Sequence, residues 1–240
     1  MSEAVREPAG VRGFAEAFGV TLSVTAAVTV ASALLPDRYI ATAVAFVFLA
    51  ATWATVWRRD DAHVEACGLA LGGVVLPGKL DGRRIARAVG RSLLWAAIFA
   101  AITFVPFFFG WRHYWRPHGA FGLRIFPLDL ANEAFGQLVI IALPEEAFYR
   151  GYLQSRLDAV FPKKINVLGA RVGVSLLVTS ALFAAGHFAT IREPSRLAVF
   201  FPSLLFGWLR ARTGGIGAGV TYHASCNVFS ELLGKGFRVY

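Results

Sequence analysis

The chain has 240 residues, of which 56% are hydrophobic and only 16% charged, and it carries a net charge of +9 with a mean hydropathy of +0.56. A water-soluble domain is nearer half apolar and about a quarter charged, so this composition excludes a soluble globular protein and calls for a surface that mostly faces lipid. It also turns the positive charge away from nucleic acid: arginines in the loops of an apolar chain fix topology and meet anionic headgroups.

The apolar blocks follow one another with short polar breaks, which predicts one integral membrane domain over 1–240. Residues 1–19 mix Glu3, Glu7 and Glu16 with Arg6 and Arg12, and the first apolar run ends at Leu35 with no small-residue cleavage site before a soluble region. That run is expected to be a retained helix and not a cleaved signal peptide. A bilayer core needs about 20 apolar residues in helical form. Phe18–Leu35 and Tyr39–Trp57 fit, divided by the turn Pro36-Asp37-Arg38. The stretch from Arg58 to Arg91 carries seven basic residues, and its apolar piece, Leu69–Leu76, is too short to span; an interfacial or looped segment is expected there.

Ser92–Gly110 is a third span, closed by the aromatic and basic run from Trp111 to Arg116, which suits a membrane interface. A fourth helix is expected over Leu128–Phe161, then three more over Val172–Phe188, Leu197–Leu209 and Gly217–Leu233. The expected fold is therefore all-α, a polytopic transmembrane bundle of about seven helices, six to eight. Of the 24 lysines and arginines, two in three fall on one side when spans alternate, which places the N-terminus and the 58–91 segment in the cytoplasm. Cys67 and Cys226 are the only cysteines; Cys226 lies in an apolar segment, so no disulfide is expected, and no CxxC metal pattern is present.

Ionisable groups at membrane depth cost several kcal/mol unless paired, which makes each one a functional candidate. Three clusters qualify. In Pro144-Glu145-Glu146-Ala147-Phe148-Tyr149-Arg150, Glu146 and Arg150 are four apart and share a helical face. Glu145, turned about 100° away, is left free to act as a base. Pro144 frees a carbonyl near position 140 and opens room in the helix. The competing reading is a helix end emerging among solvated headgroups. His187, after the small residues Ala184-Ala185-Gly186, can be a catalyst or a helix-end cap. His223 and Asn227 lie one turn apart on one face and can aim at a common point, or serve as interhelical glue. Glu145, His187, His223 and Asn227 come from three helices in apolar settings, which favours one shared polar site over three accidents.

In these residues the chain resembles the CAAX protease and bacteriocin-processing family, which includes the type II CAAX prenyl endopeptidases. The family's ordered pattern EExxxR, FxxxH, HxxxN reads here as Glu145-Glu146-x-x-x-Arg150, Phe183-x-x-x-His187 and His223-x-x-x-Asn227, covering about Leu128 to Gly234. The resemblance implies a helical bundle and an intramembrane endopeptidase. It makes Glu145 the water-activating glutamate and His187 its helper, with His223 and Asn227 the oxyanion-stabilising pair. Glu146 and Arg150 become an architectural ion pair. It favours a metal-free, glutamate-type mechanism; the alternative is zinc held by Glu145, His187 and His223 in the His₂Glu manner, although HExxH is absent.

A non-proteolytic relative conferring immunity or scaffolding is the other alternative. A rhomboid-type serine site and a paired-Asp site find no support, and the inverted repeat of a transporter is missing. Expected partners are membrane lipid and a membrane-anchored protein or peptide substrate, with no nucleic acid. Arginine greatly outnumbers lysine, suggesting a GC-rich bacterial genome and hence the inner membrane; leader peptides, bacteriocin precursors or C-terminal anchors are then more plausible substrates than prenylated proteins.

Overall fold

The computed structural model describes residues 10–122 and 127–239; Glu3, Arg6 and Glu7 lie outside them. Among the described residues there are eight helices. Helix α1 is Val11–Leu34, and α2 is Asp37–Thr52, prolonged by a wide turn over Trp53–Trp57. The short α3 is Asp61–Ala66 and α4 is Gly82–Trp115. Residues 127–160 form one unbroken helical run, α5. Helices α6, α7 and α8 are Val174–Thr190, Phe200–Thr213 and Gly217–Phe237. Among the described residues three stretches are long and apolar enough to cross a membrane, Val11–Leu34, Asp37–Trp57 and Gly82–Trp115. The protein is a multi-pass membrane protein, and the helical bundle expected from sequence is borne out.

Two local expectations need correction. Helix α4 starts ten residues before Ser92, because Asp81 caps it: its carboxylate accepts from the backbone N–H groups of Arg83 and Arg84. The basic run from Arg83 to Arg91 is thus helical and not a loop, and Arg91 reaches the carbonyl of Thr213 at 3.0 Å. Second, β1 (Lys164–Val167) and β2 (Ala170–Gly173) form an antiparallel hairpin between α5 and α6. Leu168 and Gly169 turn it with φ of 49° and 81°, the left-handed pair that a tight two-residue hairpin needs. The Trp208 indole N–H donates to the Val167 carbonyl at 2.9 Å and ties the hairpin to α7.

The piece Leu69–Leu76 is looped, as expected, and it is anchored. Leu69 is fully buried and lies so close to α5 that a Cβ at Gly151 would meet its side chain at 2.7 Å. Ile216 N–H donates to the Gly68 carbonyl at 3.1 Å, and Arg210 donates to the Ala66 carbonyl and to Ser155 Oγ. Arg156 pairs with Glu16 at 2.8 Å. These contacts gather the start of α1, the 58–91 segment, the end of α5 and the α7–α8 turn at one end of the bundle, the end that carries most of the arginines.

Two apolar clusters build the interior. One joins α1, α2 and α5 through Val24, Phe48, Phe148, Tyr149 and Leu153. The other joins α4, α7 and α8 through Ala96, Phe206, Trp208, Leu209 and Tyr222. Buried charge collects on the seam between them.

Candidate active site

Helix α5 carries the carboxylates on an irregularly wound stretch. Wide, π-type turns over Gly136–Ala142 and Ala147–Gln154 flank an α-wound piece, Leu143–Glu146. Pro144 explains the first: a proline ring clashes with the carbonyl four residues back and offers it no N–H. Widening the preceding turn relieves that clash, and Leu143 N–H bonds five residues back, to Leu138. Wide turns of this kind recur at functional sites.

Glu146 and Arg150 are both completely buried, with Glu146 Oε2 3.2 Å from Arg150 Nε. The pair is embedded further on each side. Arg150 Nη2 donates to Ser203 Oγ at 2.9 Å and to the Ser203 carbonyl at 3.2 Å, and its guanidinium lies over the rings of Phe183 and Phe206 at 4.6 and 5.3 Å. The other carboxylate oxygen, Glu146 Oε1, is 3.1 Å from His223 Nδ1. Gly219, one turn before His223, permits this approach, since a Cβ there would lie 3.1 Å from Glu146 Oε2.

Glu145 points elsewhere. Its Oε2 lies 3.9 Å from His187 Nε2 and 3.9 Å from His223 Nε2. Its side chain is 12% exposed, with His187 at 26% and His223 at 6%, so the group is shielded yet reachable. Both ring orientations follow from their Nδ1 partners. His187 Nδ1 is 3.0 Å from the Phe183 carbonyl; a carbonyl only accepts, so Nδ1 carries the hydrogen and a neutral ring presents the Nε2 lone pair to Glu145. His223 Nδ1 faces the Glu146 carboxylate in the same sense. The Phe183 ring packs on Tyr149, His187 and Arg150, which gives the phenylalanine of FxxxH a physical role: it holds two motifs together.

The structure thus brings Glu145, His187 and His223 into one group, with Glu146 and Arg150 beneath. Asn227 continues the face of His223 one turn on, and its Nδ2 donates to Gln137 Oε1 at 2.9 Å. Ser203, Phe206 and Gln137 are partners that sequence reasoning missed. Their signals were faint, a lone serine in an apolar helix and a glutamine two turns before the carboxylates. The two imidazoles, each with Nδ1 engaged, have the chemistry of metal ligands. Yet among the described residues no group of three or more His, Cys, Asp or Glu is arranged to hold a metal ion.

The chain is a multi-helix membrane bundle with a carboxylate and two imidazoles on an interior seam. Residues 127–229 match one family model, described as Rce1-like: type II CAAX prenyl endopeptidase Rce1-like. The match spans all three motifs and bears out the resemblance drawn from them; members of that family are usually membrane proteases, with protein or peptide substrates. No curated protein and no solved structure matches the chain.

Proposed function

We propose that the protein is an endopeptidase that cleaves a membrane-associated protein or peptide with a water activated by Glu145. The observation that carries this reading is the single carboxylate oxygen with two imidazole nitrogens 3.9 Å away. That separation is too long for direct hydrogen bonds and of the size a shared water bridges. Such a water gives one hydrogen to Glu145 Oε2 and the other to His187 Nε2, leaving an oxygen lone pair for the substrate carbonyl carbon. Glu145 takes the proton as the C–O bond forms, then returns it to the departing amide nitrogen as the C–N bond breaks.

The developing oxyanion falls to His223 and Asn227. His223 turns its Nε2 toward the Glu145 side of the site, and a hydrogen on that nitrogen is what an oxyanion there would accept. Glu146 Oε1, 3.1 Å from His223 Nδ1, holds the ring in that orientation, a task beyond its pairing with Arg150. Preorganised donors of this kind contribute about 3–4 kcal/mol each, or about 10²–10³ in rate.

The test uses an internally quenched peptide ending in an S-farnesylated Cys-aliphatic-aliphatic-X sequence, and its unprenylated twin, in liposomes holding the protein. His223→Ala and Asn227→Ala should each lose about 10²–10³ in kcat with KM little changed, and the double variant should lose less than the product. A large KM rise at unchanged kcat would remove the oxyanion role. Cleavage by Glu145→Gln at the full rate would remove the mechanism.

A further inference from the structure

Asn227 does not stand alone. Its amide joins a line of polar groups running along the contact of α5 with α8. Asn227 Nδ2 donates to Gln137 Oε1 at 2.9 Å, Gln137 Nε2 donates to Glu133 Oε1 at 3.1 Å, and Lys235 Nζ sits 3.2 Å from Glu133 Oε2. We infer that Gln137 is a positioning residue for the reaction, fixing through Glu133 which end of the Asn227 amide donates.

The direction of the line is forced by chemistry. An amide side chain has two nearly isosteric ends, one with two hydrogens to give and one that only accepts. By shape alone either could face its neighbour. Glu133, a carboxylate facing Gln137 Nε2 at 3.1 Å and the Lys235 ammonium at 3.2 Å, has no hydrogen to give, so Gln137 must turn its NH₂ toward it. Only the Gln137 oxygen then remains for Asn227, which must turn its own NH₂ toward Gln137. The donor end of Asn227 is set before substrate arrives, and catalytic donors owe their strength to such preorganisation. With the line cut, the Asn227 amide is free to flip and present its oxygen, an acceptor that repels an oxyanion.

The inference rests on the proposed oxyanion role of Asn227, and the experiment separates the two. With the quenched farnesylated peptide, Gln137→Leu should lower kcat about tenfold, between the about twofold of an amide flipping freely and the about 10²–10³ of a lost donor. KM should hold. In an Asn227→Ala background the same substitution should change kcat hardly at all, since nothing is left to orient. The exchanged pair Glu133→Gln with Gln137→Glu should recover most of the activity, because residue 137 again can only accept from Asn227.

A readout free of substrate accompanies this. The chain has three asparagines, Asn132, Asn166 and Asn227, so ¹⁵N-asparagine labelling gives few side-chain amide signals, and Asn227→Ala identifies the one of interest. Gln137→Leu should shift that signal and speed its exchange with water. An unchanged signal overturns the inference. So does a kcat loss that is equal in both backgrounds, or one that tracks a fall in melting temperature, as helix glue would give. Full activity in Asn227→Ala would instead bring down the oxyanion reading, and the inference with it.

Discussion

Two adjacent glutamates make opposite demands on the fold, and substitution should separate them. Glu146→Ala removes one partner of an ion pair that is wholly buried and also strips His223 of its carboxylate. Breaking a buried pair in this way costs about 3–5 kcal/mol, since the remaining charge stays uncompensated. Against a typical total of about 5–15 kcal/mol that is a large share. At about 2–4 °C per kcal/mol for a chain of this length, the melting temperature should fall by about 10 °C. Glu145 differs: its Oε2 accepts no hydrogen bond and faces two imidazole nitrogens at 3.9 Å. Glu145→Ala should therefore abolish peptide cleavage and melt within a few degrees of the unsubstituted protein. Both are read on detergent-purified protein, by tryptophan fluorescence on heating and by the quenched-peptide assay. If Glu146→Ala melts normally while Glu145→Ala collapses, the division of labour between the carboxylates is wrong.

Purified protein should hold well under one zinc per chain and keep its activity in chelator; stoichiometric zinc, lost and restored together with activity, would promote the His₂Glu alternative. A single cysteine at Gly78, with Cys67 and Cys226 replaced, should resist an impermeant maleimide in intact cells, and prompt labelling would place the arginine-rich end of the bundle outside. Gly151→Ala drives a methyl into Leu69 and should cost about 1–3 kcal/mol, with Leu69→Ala in the same chain recovering part of the lost melting temperature; a silent Gly151→Ala would mean that the 67–76 loop is not held there.

The site was legible in the sequence because ionisable residues in apolar helices are costly enough to be rare. Glu145, His187 and His223 could therefore be picked out singly and do meet in space. What stayed hidden depends on direction rather than identity. That His223 uses Nδ1 for Glu146, or that Gln137 faces Asn227, follows from helix phase across irregular turns, which no periodicity reveals. The hairpin at 164–173 offers only four residues per strand, too few for alternation to show. By charge, Arg83, Arg84, Arg87 and Arg91 look like a loop, which hides the first ten residues of α4; their spacing with Ile85 and Ala88 is helical, and Asp81 supplies the cap.

The wide turns around Pro144 also bear on how this helix tolerates changes in length. Each holds about one residue more than an α-turn, and one residue amounts to a rotation of about 100°. A deletion of one residue within 136–142 can be absorbed by tightening that turn, leaving both flanking segments in phase. The α-wound piece Leu143–Glu146 has no such slack, and losing a residue there would swing one glutamate onto the other's face. Length variation among relatives is thus expected in the turns and not between them, so the irregular winding is a reservoir from which the helix can lengthen or shorten without moving its carboxylates.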